Sequence, residues 1–177
     1  DPSLTSGGEL RTDGGTITGA SGIDITLKHG NVKCFDGGTV STVGNGDLFL
    51  EDASIIANNG TINIAHNLTL SGGNVTGLNL VDFDVAGAVD ILGDFNLNWV
   101  SGNVGLGSTV TVTGNMTIAN AAGSTTISGA TTVDEGSLNI RDCAAVTLTG
   151  ATVNRGSLGI HSSSGAVSTG AIATNEG

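Results

Sequence analysis

Apolar residues return along this chain with a period of about 21 residues, a spacing typical of repeat architectures. Val43, Ile64, Val85, Leu106, Ile127 and Leu148 form one ladder at that spacing. Two positions ahead of it run Ile62, Phe83, Val104, Val146 and Val167, with Ser41 and Thr125 as weaker rungs. A second ladder carries Phe49, Leu70, Ile91, Val112 and Val133, preceded at its middle members by Leu68, Val89 and Val110. A third carries Cys34, Ile55, Leu97, Ile118 and Ile160, accompanied by Val32, Ala53, Phe95, Met116 and Leu158. It slips at Val75 and again at Leu138 and Ile140. Apolar residues two apart, with a polar residue between, predict a short strand with one buried face. Three such strands in every repeat predict a chain wound on itself. The fold expected is all-β: a parallel β-helix, or β-solenoid, of about eight coils of ~21 residues with three short strands each.

The coil from Phe83 to Asn103 shows the pattern most plainly. Its strands are Phe83-Asp84-Val85, Val89-Asp90-Ile91 and Phe95-Asn96-Leu97, with Asp84, Asp90 and Asn96 expected on the outside. Gly87 and Gly93 fall at its corners, where a sharp bend is expected to use positive φ. Residues 1–177 read as a single domain: an irregular first coil over 1–31, regular coils over 32–170 and a tail over 171–177. Terminal repeats deviate because they must end the stack.

Composition narrows the class further. Thirty glycines, one proline and no tyrosine describe neither an ordinary globular core nor a collagen, since the glycines keep no three-residue period. The positive mean hydropathy of +0.22 and the many β-branched residues argue against disorder. No apolar run is long enough to span a bilayer, so no membrane insertion is expected. A start at Asp1-Pro2 fits a processed secreted protein or a cloned fragment. The net charge is −11, and no Lys or Arg occurs between Lys33 and Arg141. That sign excludes nucleic acid as a partner and disfavours anionic membranes. It is compatible with divalent cations.

Chemistry-bearing residues are few. Asp82, Asp84, Asp90 and Asp94 crowd into one coil and form the candidate metal site, with calcium as its cation because hard oxygen ligands suit it. Gly44-Asn45-Gly46-Asp47 resembles part of a calcium-binding glycine-rich repeat, but occurs once. His29, His66 and His161 fall at different phases of the coil and are not expected to share a metal. No catalytic motif appears, and glycosidic chemistry would want a matched carboxyl pair with aromatic platforms and a nearby base. An enzyme is not expected, and no cofactor beyond calcium is. Cys34 is expected in the core. Cys143, about five coils away, lies on the order of 25 Å from it, too far for a disulfide. Placed between strands, Cys143 is a candidate for a bridge to another molecule. Asn59, Asn67, Asn74 and Asn115 begin glycosylation sequons.

Over residues 32–170 the coil architecture and the Gly, Thr, Asn and Val usage resemble the single-stranded parallel β-helix of bacterial surface proteins of the filamentous-haemagglutinin-like and autotransporter-passenger kind. The resemblance includes no diagnostic motif and carries over no catalytic or binding residue. It implies an extracellular or cell-surface location and a role in display, adhesion or scaffolding. The function expected is that of a rod-like structural subunit of a fibre, sheath or coat. Its copies would stack head to tail, because a solenoid ends in unpaired strand edges. The alternative is an adhesin recognising glycans or matrix. Ice binding and activity on polysaccharides rank below both. The expected outward row of Thr42, Asn63, Asp84, Gly105, Thr126 and Thr147 breaks the flat rank of threonines that ice binding requires.

Overall fold

The computed structural model describes residues 3–4, 9–28, 30–51, 53–71, 75–77, 82–98, 103–119, 123–162, 165–170 and 172–175. Among them there is no helix, and every strand pairing is parallel. The chain is a β-solenoid built of stacked coils of about 21 residues. Its strands fall on three faces, named here for the ladders they carry. Face I is a sheet of eight strands, from Thr16–Thr18 at one end to Val167–Thr169 at the other. Face II has nine, from Ser3–Leu4 to Ile172–Asn175. Face III divides into two sheets of four, Glu9–Asp13 through Val75–Gly77 and Asp94–Asn98 through Ser157–Ser162.

From Thr61 onward face I keeps the predicted register, and so does face II as far as Asn154, beyond which its pairing with Ile172–Asn175 shifts. Phe83 lies beside Ile62 and Val104, and Val85 beside Ile64 and Leu106, all 2% exposed or less. Face II aligns Leu70, Ile91, Val112 and Val133 in the same way. Alternation of buried and outward residues within each strand puts both apolar members of every pair on the axis. The Phe83 and Phe95 rings meet across that axis with centroids 5.8 Å apart. Threonines replace some aliphatic rungs at Thr125, Thr131 and Thr152. The slips predicted on face III are real. Ile118 lies beside Ile140, and Ile140 beside Ile160, so one coil is a residue longer than the period and the next a residue shorter.

The N-terminal coils depart from the predicted phase. Val40, not Ser41, lies beside Ile62, so Thr42 turns inward and Val43 is left 42% exposed. The Thr42 hydroxyl is kept satisfied inside by accepting the Ala65 N–H at 3.0 Å. On face II, Leu48 and Leu50 align with Leu68 and Leu70, and Phe49 faces outward beside Thr69. On face III, Val32 pairs with Ile55, which moves Cys34 alongside Ala57; the side chains of these two lie outside the described residues. Ala53 is buried but precedes its strand. One cause accounts for all of these. Coils here run one shorter or one to two longer than the period, and a shift by a single position turns a side chain from one face of a sheet to the other. Strands also run through 1–31, expected as an irregular first coil, and into 171–177, expected as a tail. Glu9–Asp13 joins face III, and Ile172–Asn175 pairs with Thr152–Asn154.

The corners give glycine a different role from the one expected. Among the described residues, the glycines at positive φ are Gly14, Gly22, Gly37 and Gly44, all in the N-terminal coils. Farther along, glycine is required by close approach. A Cβ at Gly129 would stand 1.5 Å from the Ser108 carbonyl oxygen, and one at Gly136 would stand 1.7 Å from that of Gly114. Stacked corners touch backbone to backbone, and only a residue without a side chain fits between them.

Candidate functional site

At the two ends of the described coils the strands have a neighbour on one side only. Along the middle, each strand of faces I and II pairs with a coil on either side, whereas on face III, among the described residues, Val75–Gly77 and Asp94–Asn98 each pair on one side only. Among the described residues, Ser3–Leu4, Glu9–Asp13 and Thr16–Thr18 pair on one side only, as do Ser157–Ser162, Val167–Thr169 and Ile172–Asn175. The axis opens at the N-terminal tip into a cavity of about 340 Å3 lined by Leu10, Ile17, Ile25 and Leu27, with Glu9, Thr18 and Gly19 at its margin. Leu10 and Ile17 are only partly buried, whereas their counterparts Val32 and Val40 one coil on are fully covered. At the other end Val167 keeps the register of Val146 but is 44% exposed, and Leu158 and Ile160 are half-buried. Each end thus combines unpaired backbone groups with uncovered aliphatic side chains.

Polar columns run down the corners. Asp24 accepts the Asp47 N–H at 2.9 Å, Asp47 the Asn67 N–H at 3.0 Å, and Asn67 the Ala88 N–H at 2.9 Å. At a second corner Asp82 accepts from Asn103 N–H at 2.8 Å and Asn103 from Ser124 N–H at 3.2 Å. At the third, the Asn115 amide donates to Asp94 and accepts from the Ser137 hydroxyl, both at 2.8 Å. In the first two columns these side chains accept backbone N–H groups at the corners, whereas in the third they bond one another. His66 Nδ1 also donates to Asp47, at 2.6 Å. Burial alone would raise the Asp47 carboxyl, but bonds from Asn67 and His66, with the charge of His66, hold it below its ordinary value of 3.8.

This accounting redistributes the aspartate quartet. Asp82 and Asp84 lie on face I, Asp90 on face II and Asp94 at the start of a face III strand. Among the described residues no group of three His, Cys, Asp or Glu side chains converges on a point that could hold a metal. The crowding seen along the sequence is spread around the perimeter of one coil, and Asp82 and Asp94 are engaged in the corner columns. Asp84 is raised above its ordinary value, by burial first and then by the neighbouring Asp82 charge.

The other predicted residues separate in the same way. Cys143 is not between strands: it ends the Ser137–Cys143 strand, fully buried, its sulfur 3.4 Å from the Thr125 hydroxyl and donating to the Arg141 carbonyl at 3.4 Å. A bridge to another molecule would require that coil to open. Asn67 and Asn115 are committed to the corner columns, whereas Asn59 is exposed on a turn at φ 61°. Asn74 and His29 lie outside the described residues. The outward row of face I reads Thr18, Ser41, Asn63, Asp84, Gly105, Thr126, Thr147 and Ser168, with Ser41 in the place expected for Thr42. Two groupings went unseen in the sequence, His66 with Asp47 and Arg141 with His161. The members of each lie close to one coil length apart, and that spacing was the available signal.

No protein-family model, no curated protein and no solved structure matches this chain. The fold and the geometry of its ends therefore carry the functional reading.

Proposed function

We propose that this chain is a structural rod, the subunit of an extracellular or cell-surface fibre, sheath or coat that grows by end-to-end stacking of copies. The observation that carries the reading is the two ends of the described coils, each with one-sided strands on three faces and aliphatic residues at the mouth of the core. All pairings are parallel, so the last coil of one copy offers the first coil of the next the same arrangement that successive coils offer one another. Such a head-to-tail contact repeats without closing and generates a filament. The surface usage shared with filamentous-haemagglutinin-like and autotransporter-passenger rods supports the same location and role. A charge of −11 on each copy opposes association and is screened by salt, so stacking should strengthen as ionic strength rises.

Electron microscopy over a range of concentration and salt tests this. Linear filaments one rod wide are expected, and Leu10→Lys, which places a charge at the mouth of the N-terminal cavity, should abolish them while the circular dichroism stays that of a β-protein. Monodisperse single rods at high concentration and high salt would refute the reading.

A further inference from the structure

On the outside of face III, Thr117, Asn139, Arg141 and His161 line a notch of about 400 Å3. They come from three consecutive strands, Asn115–Ala119, Ser137–Cys143 and Ser157–Ser162. The register sets Thr117 beside Asn139, Asn139 beside Gly159 and Arg141 beside His161. Gly159 leaves a gap at its rung. A Cβ there would stand 2.6 Å from Asn139 Oδ1 and 3.6 Å from His161 Nε2, so amide and imidazole both border the space. Immediately after Arg141 the pairing shifts at a bulge, with Asp142 at φ 57°. A bulge of this kind re-aims the side chains around it.

The charge pattern distinguishes this notch from the rest of the surface. Lys28 pairs with Glu51, Lys33 with Glu9 and Arg155 with Asp134, and Arg11 also has a partner. Among the described residues the Arg141 guanidinium alone of these five cations stands without a partner, in a chain with sixteen Asp and Glu. A guanidinium presents a planar fork of donors that matches a carboxylate or sulfate two bonds at a time. The Asn139 amide and Thr117 hydroxyl next to it both donate and accept, the pattern that hydroxyl groups on a sugar ring require.

We propose that this notch binds a carboxylate- or sulfate-bearing unit of an acidic polysaccharide. Arg141 takes the anionic group, His161 flanks it, and Asn139 and Thr117 hold the neighbouring hydroxyls. The notch opens on the flank of the rod, and its outermost strand, Ser157–Ser162, is also the last strand of face III.

Calorimetric titration of the whole chain with tetragalacturonate, a heparin-derived tetrasaccharide and neutral maltotetraose, at near-physiological ionic strength, tests the assignment. Saturable binding of at least one acidic tetrasaccharide and none of maltotetraose is expected, and the preferred acid identifies carboxylate or sulfate as the group read. Arg141→Gln should weaken that binding by about tenfold or more. Gly159→Ala, which fills the gap without touching any charge, should weaken it as well, whereas Arg155→Gln, at the paired arginine, should leave it unchanged. Circular dichroism checks that each variant keeps the fold. Absence of binding to both acids, equal binding of maltotetraose, or full affinity in Arg141→Gln would overturn the proposal. So would loss of filaments without loss of sugar binding in Arg141→Gln, which would assign the notch to contact between copies.

Discussion

The coils before Thr61 and those that follow it enclose the same kind of core by different means. In the later coils the repeat length is held constant on face I, and on face II as far as Asn154, and corners are set by glycines whose neighbours leave no room for a side chain. In the earlier coils the length drifts to either side of the period, and the slack is taken up by glycines at positive φ and by inward polar groups such as Thr42. The comparison teaches that a solenoid does not need a fixed repeat. It needs each strand to arrive with its apolar pair facing the axis, and the corners absorb whatever length is left over.

The largest effect that would break this contrast concerns which side of a strand a residue occupies. Val43 and Leu106 stand on the same sequence ladder, yet Val43 is 42% exposed and Leu106 is 1% exposed. Leu106→Asp buries a carboxylate with no partner and should cost about 4 kcal/mol or more. Since stability in a solenoid is a sum over neighbouring coils, the loss should fragment the rod at its middle. Val43→Asp should stay within about 0.5 kcal/mol of the parent. Chemical denaturation of the two variants measures the difference; similar midpoints would mean that the N-terminal coils keep the strict repeat after all.

That pair also marks how far the sequence could be read. The fold, the three faces and most inward aliphatic residues from Ile62 to Leu148 followed from spacing alone, because parallel stacking sets coils of nearly equal length into visible columns; Cys143, expected between strands, did not. Ser41, Val43, Phe49 and the alignment of Cys34 with Ile55 were misplaced where small insertions shift the phase without changing composition. A fixed period has no means of detecting such a shift. The aspartate quartet misled. Nearness along the chain placed Asp82, Asp90 and Asp94 together, but a coil that turns a corner every few residues points them outward from different faces. The Arg141 notch was missed for the opposite reason, since its members are far apart in sequence and adjacent in space.

Corner glycines sharpen the comparison with a smaller effect. Asparagine tolerates left-handed backbone better than other residues with a side chain. At Gly22, with φ +73° and open space around the missing Cβ, Gly22→Asn should cost under about 1 kcal/mol. At Gly129 the new Cβ would drive into the Ser108 carbonyl and force two coils apart, and Gly129→Asn should cost about 2–4 kcal/mol. Thermal melting of the two proteins separates a conformational demand from a steric one. If both lose the same amount, the corners of the two regions are alike.

The smallest effect is one of pH, and its sign differs between the regions. Asp47, in the N-terminal coils, has its folded pKa held below 3.8 by Asn67 and His66 despite the opposing pull of burial. The carboxylate therefore stabilises the fold at all pH above 3.8, and that contribution is lost as pH falls through the lower folded value. Asp84, among the regular coils, has its folded pKa raised above 3.8 by burial and by Asp82. Its ionised form is a liability at neutral pH, and the fold is relieved as pH falls through the raised value toward 3.8. Asp47→Asn should thus melt below the parent at pH 7, with the gap closing in acid as the parent carboxyl takes up its proton. Asp84→Asn should melt slightly above the parent at pH 7, and that advantage should vanish by the time pH has dropped below 3.8. Melting curves of the three proteins between neutral pH and strong acid read both signs at once. A common sign for the two variants would show that the corner column at Asp47 does not hold its charge, and with it would go the view that polar side chains bind the irregular coils together.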